Sequence, residues 1–132
     1  MNSRLRAFVI HRAYERCEYC HLAYQDGTLD FHVEHILPRV HGGDDSEQNL
    51  AYSCSRCNTH KGVNLAGIDP DTGLLTCLYN PRVHDWVAHF ELAAGIIHGT
   101  TDIGRTTVRV LRMNDDLRVR LRTQLIPGSD EV

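Results

Sequence analysis

Residues 31–61 read FHVEHILPRVHGGDDSEQNLAYSCSRCNTHK, and the fold turns on how this stretch is read. Across residues 28–34, Leu29, Phe31 and Val33 alternate with Asp30, His32 and Glu34. That is the period of a half-buried strand, and it sets His32 and Glu34 on the polar face. Pro38 ends the pairing. Residues 39–48 form a polar loop containing Gly42-Gly43. Leu50-Ala51-Tyr52 suits a short second strand, after which Ser53 or Ser55 is placed to cap a short helix carrying Cys57, Asn58 and Lys61. The order is strand, loop, strand, helix.

The cysteines work outward from this core. Cys54-Ser-Arg-Cys57 closes the stretch, and a second C-x-x-C, Cys17-Glu-Tyr-Cys20, precedes it. One such pair is weak, since redox pairs and chance both produce it. Two of them are the pattern of a structural Zn²⁺ held by four thiolates. A closed tetrahedron leaves no open position, so the metal contributes folding free energy and no chemistry. A thioredoxin-like reading needs a βαβ context that this sequence lacks. Cys77 lies in LLTCLY and reads as a small buried hydrophobe on a strand.

Composition sets the outer bounds. The chain has 132 residues, 42% hydrophobic and 23% charged, with a formal net charge of -3. This is one soluble globular domain rather than a membrane or disordered chain. The apolar part of the N-terminus is too short for a signal peptide, and the expected location is cytoplasmic. Mild acidity is uncommon in a nucleic-acid binder, but the positive residues cluster, from Arg4 to Arg16 and from Arg105 to Arg122. Lys61 is the only lysine.

The flanks complete the expectation. Leu5, Val9 and Ala13 mark a helix over 3–16 with Ser3 as N-cap and its arginines mostly solvated. Leu74–Tyr79 and Asp85–Leu92 read as strands, and Gly95 turns the chain into Ile96–His98. Thr100 or Thr101 caps a helix reaching Met113. Asp115 caps a last one, with Leu117, Leu121 and Leu125 on one stripe and Arg118 and Arg122 on another. Residues 127–132 read as a flexible tail.

The chemistry on offer is hydrolytic. Cleaving a phosphodiester needs an activated water and positive charge near the phosphate oxygens. A histidine can take the proton. Glu34 and Asn58 offer two oxygen donors suited to a hard cation that keeps several waters. His35 adjoins Glu34, which puts a base beside such a cation without binding it.

These residues resemble the HNH endonucleases. The resemblance rests on Glu34-His35-Ile36-Leu37-Pro38, Gly42-Gly43, Asn49-Leu50 and Cys54-x-x-Cys57-Asn58-x-x-Lys61. It extends more loosely to Arg16–Cys20, Asn80–Arg82, Trp86–Phe90 and Thr101–Val108. It implies a ββα-metal (His-Me finger) core over residues 17–62 with a structural zinc site of four cysteines, an N-terminal helix, and C-terminal strands plus two helices, in one nuclease domain over 1–126. It implies that His35 is the general base and that Asn49 pins the loop that orients it. Glu34 and Asn58 would be the ligands of one catalytic Mg²⁺ or Mn²⁺, Cys17, Cys20, Cys54 and Cys57 the zinc ligands, and Lys61 a phosphate contact. The residue before the base is Glu where the family often has Asp or His, which leaves the metal preference open. The implied activity is hydrolysis of DNA, with RNA left open, by a monomer or a dimer. The rival is a non-catalytic zinc-knuckle module that binds nucleic acid or protein on the same scaffold.

Overall fold

The computed structural model describes residues 1–125, so the expected tail at 127–132 lies outside the described residues. The architecture is α+β, built from short elements. Helix α1 spans Ser3–Arg12, strand β1 Phe31–His35, strand β2 Leu50–Cys54 and helix α2 Ser55–Lys61. Strands β3 (Ala66–Ile68) and β4 (Leu75–Cys77) follow, then helix α3 (Trp86–His89), strands β5 (Phe90–Ala93) and β6 (Ile96–Gly99), and helices α4 (Asp102–Val110) and α5 (Asp116–Leu125). The strands form three antiparallel pairs, β1 with β2, β3 with β4, and β5 with β6.

The β1–β2 register sets Phe31 against Cys54, Glu34 against Ala51 and His35 against Leu50. The strand end bearing His35 therefore opens onto the 36–49 loop, while the other end delivers Cys54 directly into α2. Val9, Leu22, Leu50, Ile97, Leu111 and Met113, all at most 1% exposed, make the core against which these elements pack.

The loop is built tightly. Gly42 adopts φ 92°, in the left-handed region that favours glycine. At Gly43 a Cβ would stand 1.6 Å from the Leu37 carbonyl oxygen, so no side chain fits.

Several local expectations need correction. The N-cap of α1 is Asn2, whose Oδ1 accepts from the Leu5 N–H at 2.8 Å. The helix stops at Arg12, and Tyr14 and Glu15 both turn to positive φ. Arg12 is not a solvated charge: it donates to the Leu50 carbonyl at 2.8 Å and the Glu47 carbonyl at 3.0 Å, docking α1 on the loop and β2. Helix α2 is capped by Cys54 rather than by a serine. Residues 85–92 are not one strand. A turn of helix, Trp86–His89, precedes β5, because Trp86 stacks on His21 at 3.8 Å and donates to the Tyr19 carbonyl at 2.8 Å. Cys77 is exposed, since the two-stranded β3–β4 ribbon leaves its face uncovered.

Candidate active site and metal centre

Two chemically distinct clusters sit at opposite ends of the β1–β2 hairpin. The first is made of cysteine. Cys17 and Cys20 come from the turn after α1, Cys54 from the end of β2, and Cys57 from the first turn of α2. All four are buried and unpaired as disulfides, and their sulfur atoms lie within 4.8 Å of one another. A tetrahedron with Zn–S near 2.3 Å separates its sulfurs by about 3.8 Å. Cys20 Sγ and Cys54 Sγ stand 3.7 Å apart. The Cys20 and Cys57 N–H groups each point at the preceding cysteine's sulfur at 3.4 Å, as a thiolate turn requires. Geometry and donor chemistry both fit a zinc knuckle. Burial pushes the Cys17 and Cys57 thiols well up, while hydrogen bonds from neighbouring thiols hold Cys20 and Cys54 down, so loading such a site releases protons from the first pair.

The second cluster lines an open cavity of about 450 Å³. Glu34, His35 and Asn58 all border it, with His32, Arg39 and Val63 around them. Strand β1 supplies His32 and Glu34 two residues apart on one face, and α2 supplies Asn58. The Asn58 amide makes no hydrogen bond among the described residues, so its oxygen is open to a ligand.

Glu34 is only 8% exposed. Its carboxylate accepts from the Tyr19 hydroxyl and from Lys61 Nζ at 3.3 Å. Burial pushes the Glu34 carboxyl up, and Lys61 and Tyr19 pull against that rise. Each carboxylate oxygen accepts more than one bond, so these contacts leave capacity for a cation.

His35 Nε2 lies 2.7 Å from Asp45 Oδ1. A carboxylate only accepts, which assigns the ring proton to Nε2 and leaves Nδ1 as the basic nitrogen. Arg39 reaches the same Asp45 oxygen at 2.7 Å. The bond from His35, with the Arg39 charge behind it, holds Asp45 below the usual carboxylate range.

Asn49 spends its whole amide on the loop. Its Oδ1 accepts from the Leu37 N–H at 2.8 Å, and its Nδ2 donates to the carbonyls of Leu37 at 3.0 Å and Asp44 at 2.9 Å. It thereby fixes the backbone on both sides of Gly43 and next to Asp45.

Two expectations fail on burial. Lys61 is 2% exposed, and its ammonium donates to Glu34 and to the carbonyls of His35 at 3.3 Å and Ile36 at 3.0 Å. Placed inside the protein with its donors used, it does not meet a phosphate. Arg118 and Arg122 of α5, 0% and 1% exposed, are not a nucleic-acid surface either. Asp45 and Tyr19 are the partners that the sequence reading missed. Asp45 sat unmarked in a polar loop, and Tyr19 was hidden between two cysteines.

Residues 17–64 match the family model of the HNH endonucleases. With the four-cysteine site and the β1–β2–α2 arrangement, this segment is an HNH domain. Comparison with curated proteins and with solved structures gave no match. Among the described residues no helix is long and apolar enough to cross a membrane.

Proposed function

We propose that this chain is a metal-dependent endonuclease that hydrolyses phosphodiester bonds in DNA. The observation that carries the reading is the shared cavity: Glu34, His35 and Asn58 border one open space, and His35 has its second ring nitrogen tied to Asp45. In this reading His35 Nδ1 accepts the proton of the attacking water. Asp45 holds the ring's orientation and stabilises the imidazolium that forms. Asn49 holds the loop that positions both. Glu34 and Asn58 would hold Mg²⁺ or Mn²⁺, which supplies positive charge to the phosphate oxygens. Lys61 acts one step back, as the buried counter-charge that keeps Glu34 ionised and aimed. Residues 1–126 serve as one nuclease domain.

Supercoiled plasmid at low salt, with and without added Mg²⁺ or Mn²⁺, tests this. Wild type should nick or linearise it only with the added ion, and His35→Ala should not. Equal cutting by the mutant would remove His35 as the base.

A second reading draws on Glu34, whose carboxylate already holds two protein donors. If that network is closed to cations, the domain is a non-catalytic zinc-knuckle module that binds nucleic acid or protein. A folded, zinc-loaded protein that retards DNA yet leaves plasmid intact under every ion would select it.

A further inference from the structure

The sulfur cluster has neighbours that lie outside the matched segment. Helix α5 carries Arg118 and Arg122 one turn apart, and both are buried. Arg118 Nη1 stands 2.9 Å from Cys57 Sγ and 3.7 Å from Cys54 Sγ. The rest of that guanidinium is held rigidly. Nε donates to Asp115 at 2.7 Å, and Nη2 to the Leu111 carbonyl at 2.7 Å and to the Arg112 carbonyl. Arg122 donates through Nε to the Gly95 carbonyl and through Nη2 to the Met113 carbonyl, each at 2.8 Å. Its Nη1 is buried and has no acceptor within hydrogen-bond distance. Burial holds the Arg122 guanidinium below its ordinary range and the neighbouring Arg118 charge adds to that, while Cys20 and Cys57 pull the other way.

A buried guanidinium donor aimed at no oxygen is costly, and a second one spent on sulfur is unusual. Both become favourable if the sulfurs are thiolates on a metal. Four thiolates around Zn²⁺ leave two negative charges in a buried site. Arg118 and Arg122 bring two positive ones. Asp115, the carboxylate on Arg118, is shared at the surface with Arg56 at 3.5 Å, so it does not consume that charge alone.

We propose that α5 is part of the metal centre: Arg118 and Arg122 neutralise the tetrathiolate from outside its coordination shell, so that zinc retention and the docking of α5 are one event. The inference rests on the zinc reading of the four cysteines. Arginine N–H groups drain electron density from the sulfurs and stabilise the ion, as outer partners of metal ligands do elsewhere.

Zinc content by atomic absorption comes first, and wild type should hold one equivalent. A zinc-free, folded wild type would sink the zinc reading itself and the inference with it. Given one equivalent, zinc transfer to a chromogenic chelator is compared among wild type, Arg118→Met, Arg122→Met, Arg118→Lys and Arg105→Met. Arg118→Met should weaken zinc affinity about 10- to 100-fold, Arg122→Met should do so less, and Arg118→Lys should recover part of the loss. Arg105→Met, which removes a surface-side ion pair with Asp69 and touches no cysteine, should leave zinc affinity unchanged. The cobalt-substituted protein adds a spectroscopic readout, since losing the Arg118 donor should move the thiolate-to-cobalt band to lower energy. If Arg118→Met does not fold, Arg118→Lys carries the test through its cobalt band and zinc transfer rate. Arginine variants that release zinc at the wild-type rate with an unshifted cobalt band would overturn the proposal.

Discussion

The two ends of the β1–β2 hairpin use the same local scaffold for opposite purposes. At the Cys54 end every donor is buried, the sulfur set is complete, and arginine and backbone N–H groups close the outside. At the His35 end Glu34, His35 and Asn58 border an open cavity beside a glycine-bearing loop, and under the proposed function Glu34 and Asn58 would make an incomplete oxygen set. A saturated ion can only hold a fold together. An unsaturated one leaves room for water and substrate. Tyr19 joins the two ends. It stands between Cys17 and Cys20 and donates its hydroxyl to Glu34, so the metal knuckle also positions a cleft carboxylate.

If the ends differ in this way, substitutions should separate stability from activity. The largest effect belongs to the closed end. Cys54→Ser removes a zinc ligand while leaving a hydroxyl that can still cap α2. It should abolish zinc binding and cooperative unfolding, because structural zinc sites commonly contribute on the order of 10 kcal/mol. A Cys54→Ser protein that melts cooperatively near wild type would erase the contrast. Next comes His35→Ala, expected to lower cleavage by roughly 10²- to 10⁴-fold. It should leave zinc content and melting temperature nearly unchanged, as checked by plasmid assay beside calorimetry.

Lys61→Met probes the buried ion pair at the His35 end. It strips the counter-charge from buried Glu34 and should cost about 3–5 kcal/mol in denaturant unfolding. Lys61→Met/Glu34→Gln should recover much of that loss. If the double variant is no more stable than the single, the pair is not the source. The smallest effect lies away from both ends. The Arg105 guanidinium, bonded to both Asp69 oxygens, holds that carboxyl well below its ordinary range. A depressed folded-state pKa contributes stability that is full above about pH 4 and lost as pH falls. The melting-temperature gap between wild type and Asp69→Asn should therefore be open at neutral pH and narrow below that point.

Much of this organisation was legible in the chain. Alternation placed β1, and the paired C-x-x-C spacing anticipated the cluster that the fold brings together. Glu34, His35 and Asn58 were singled out because each type is suited to the chemistry, and the fold sets all three on one cavity. What sequence hid was direction. Lys61 and Arg118 looked like solvent-facing charges, and only the packing of α2 and α5 turns them inward, where their reach is spent on Glu34 and on sulfur. Trp86 and Phe90 mimicked a strand period over 85–92, but contacts with the Cys17–Cys20 turn made the first half a helical turn. Asp45 carried no signal, because its partner lies across a loop whose course depends on Gly43 and Asn49.

Manganese binding to the zinc-loaded protein, followed by electron paramagnetic resonance, addresses the two-ended account most directly. Wild type should take up one Mn²⁺ with zinc still at one equivalent, and Glu34→Ala/Asn58→Ala should lose the Mn²⁺ while keeping the zinc. Manganese that binds the double variant as tightly as wild type, or that enters only by displacing zinc, would contradict a separate open site in the cleft.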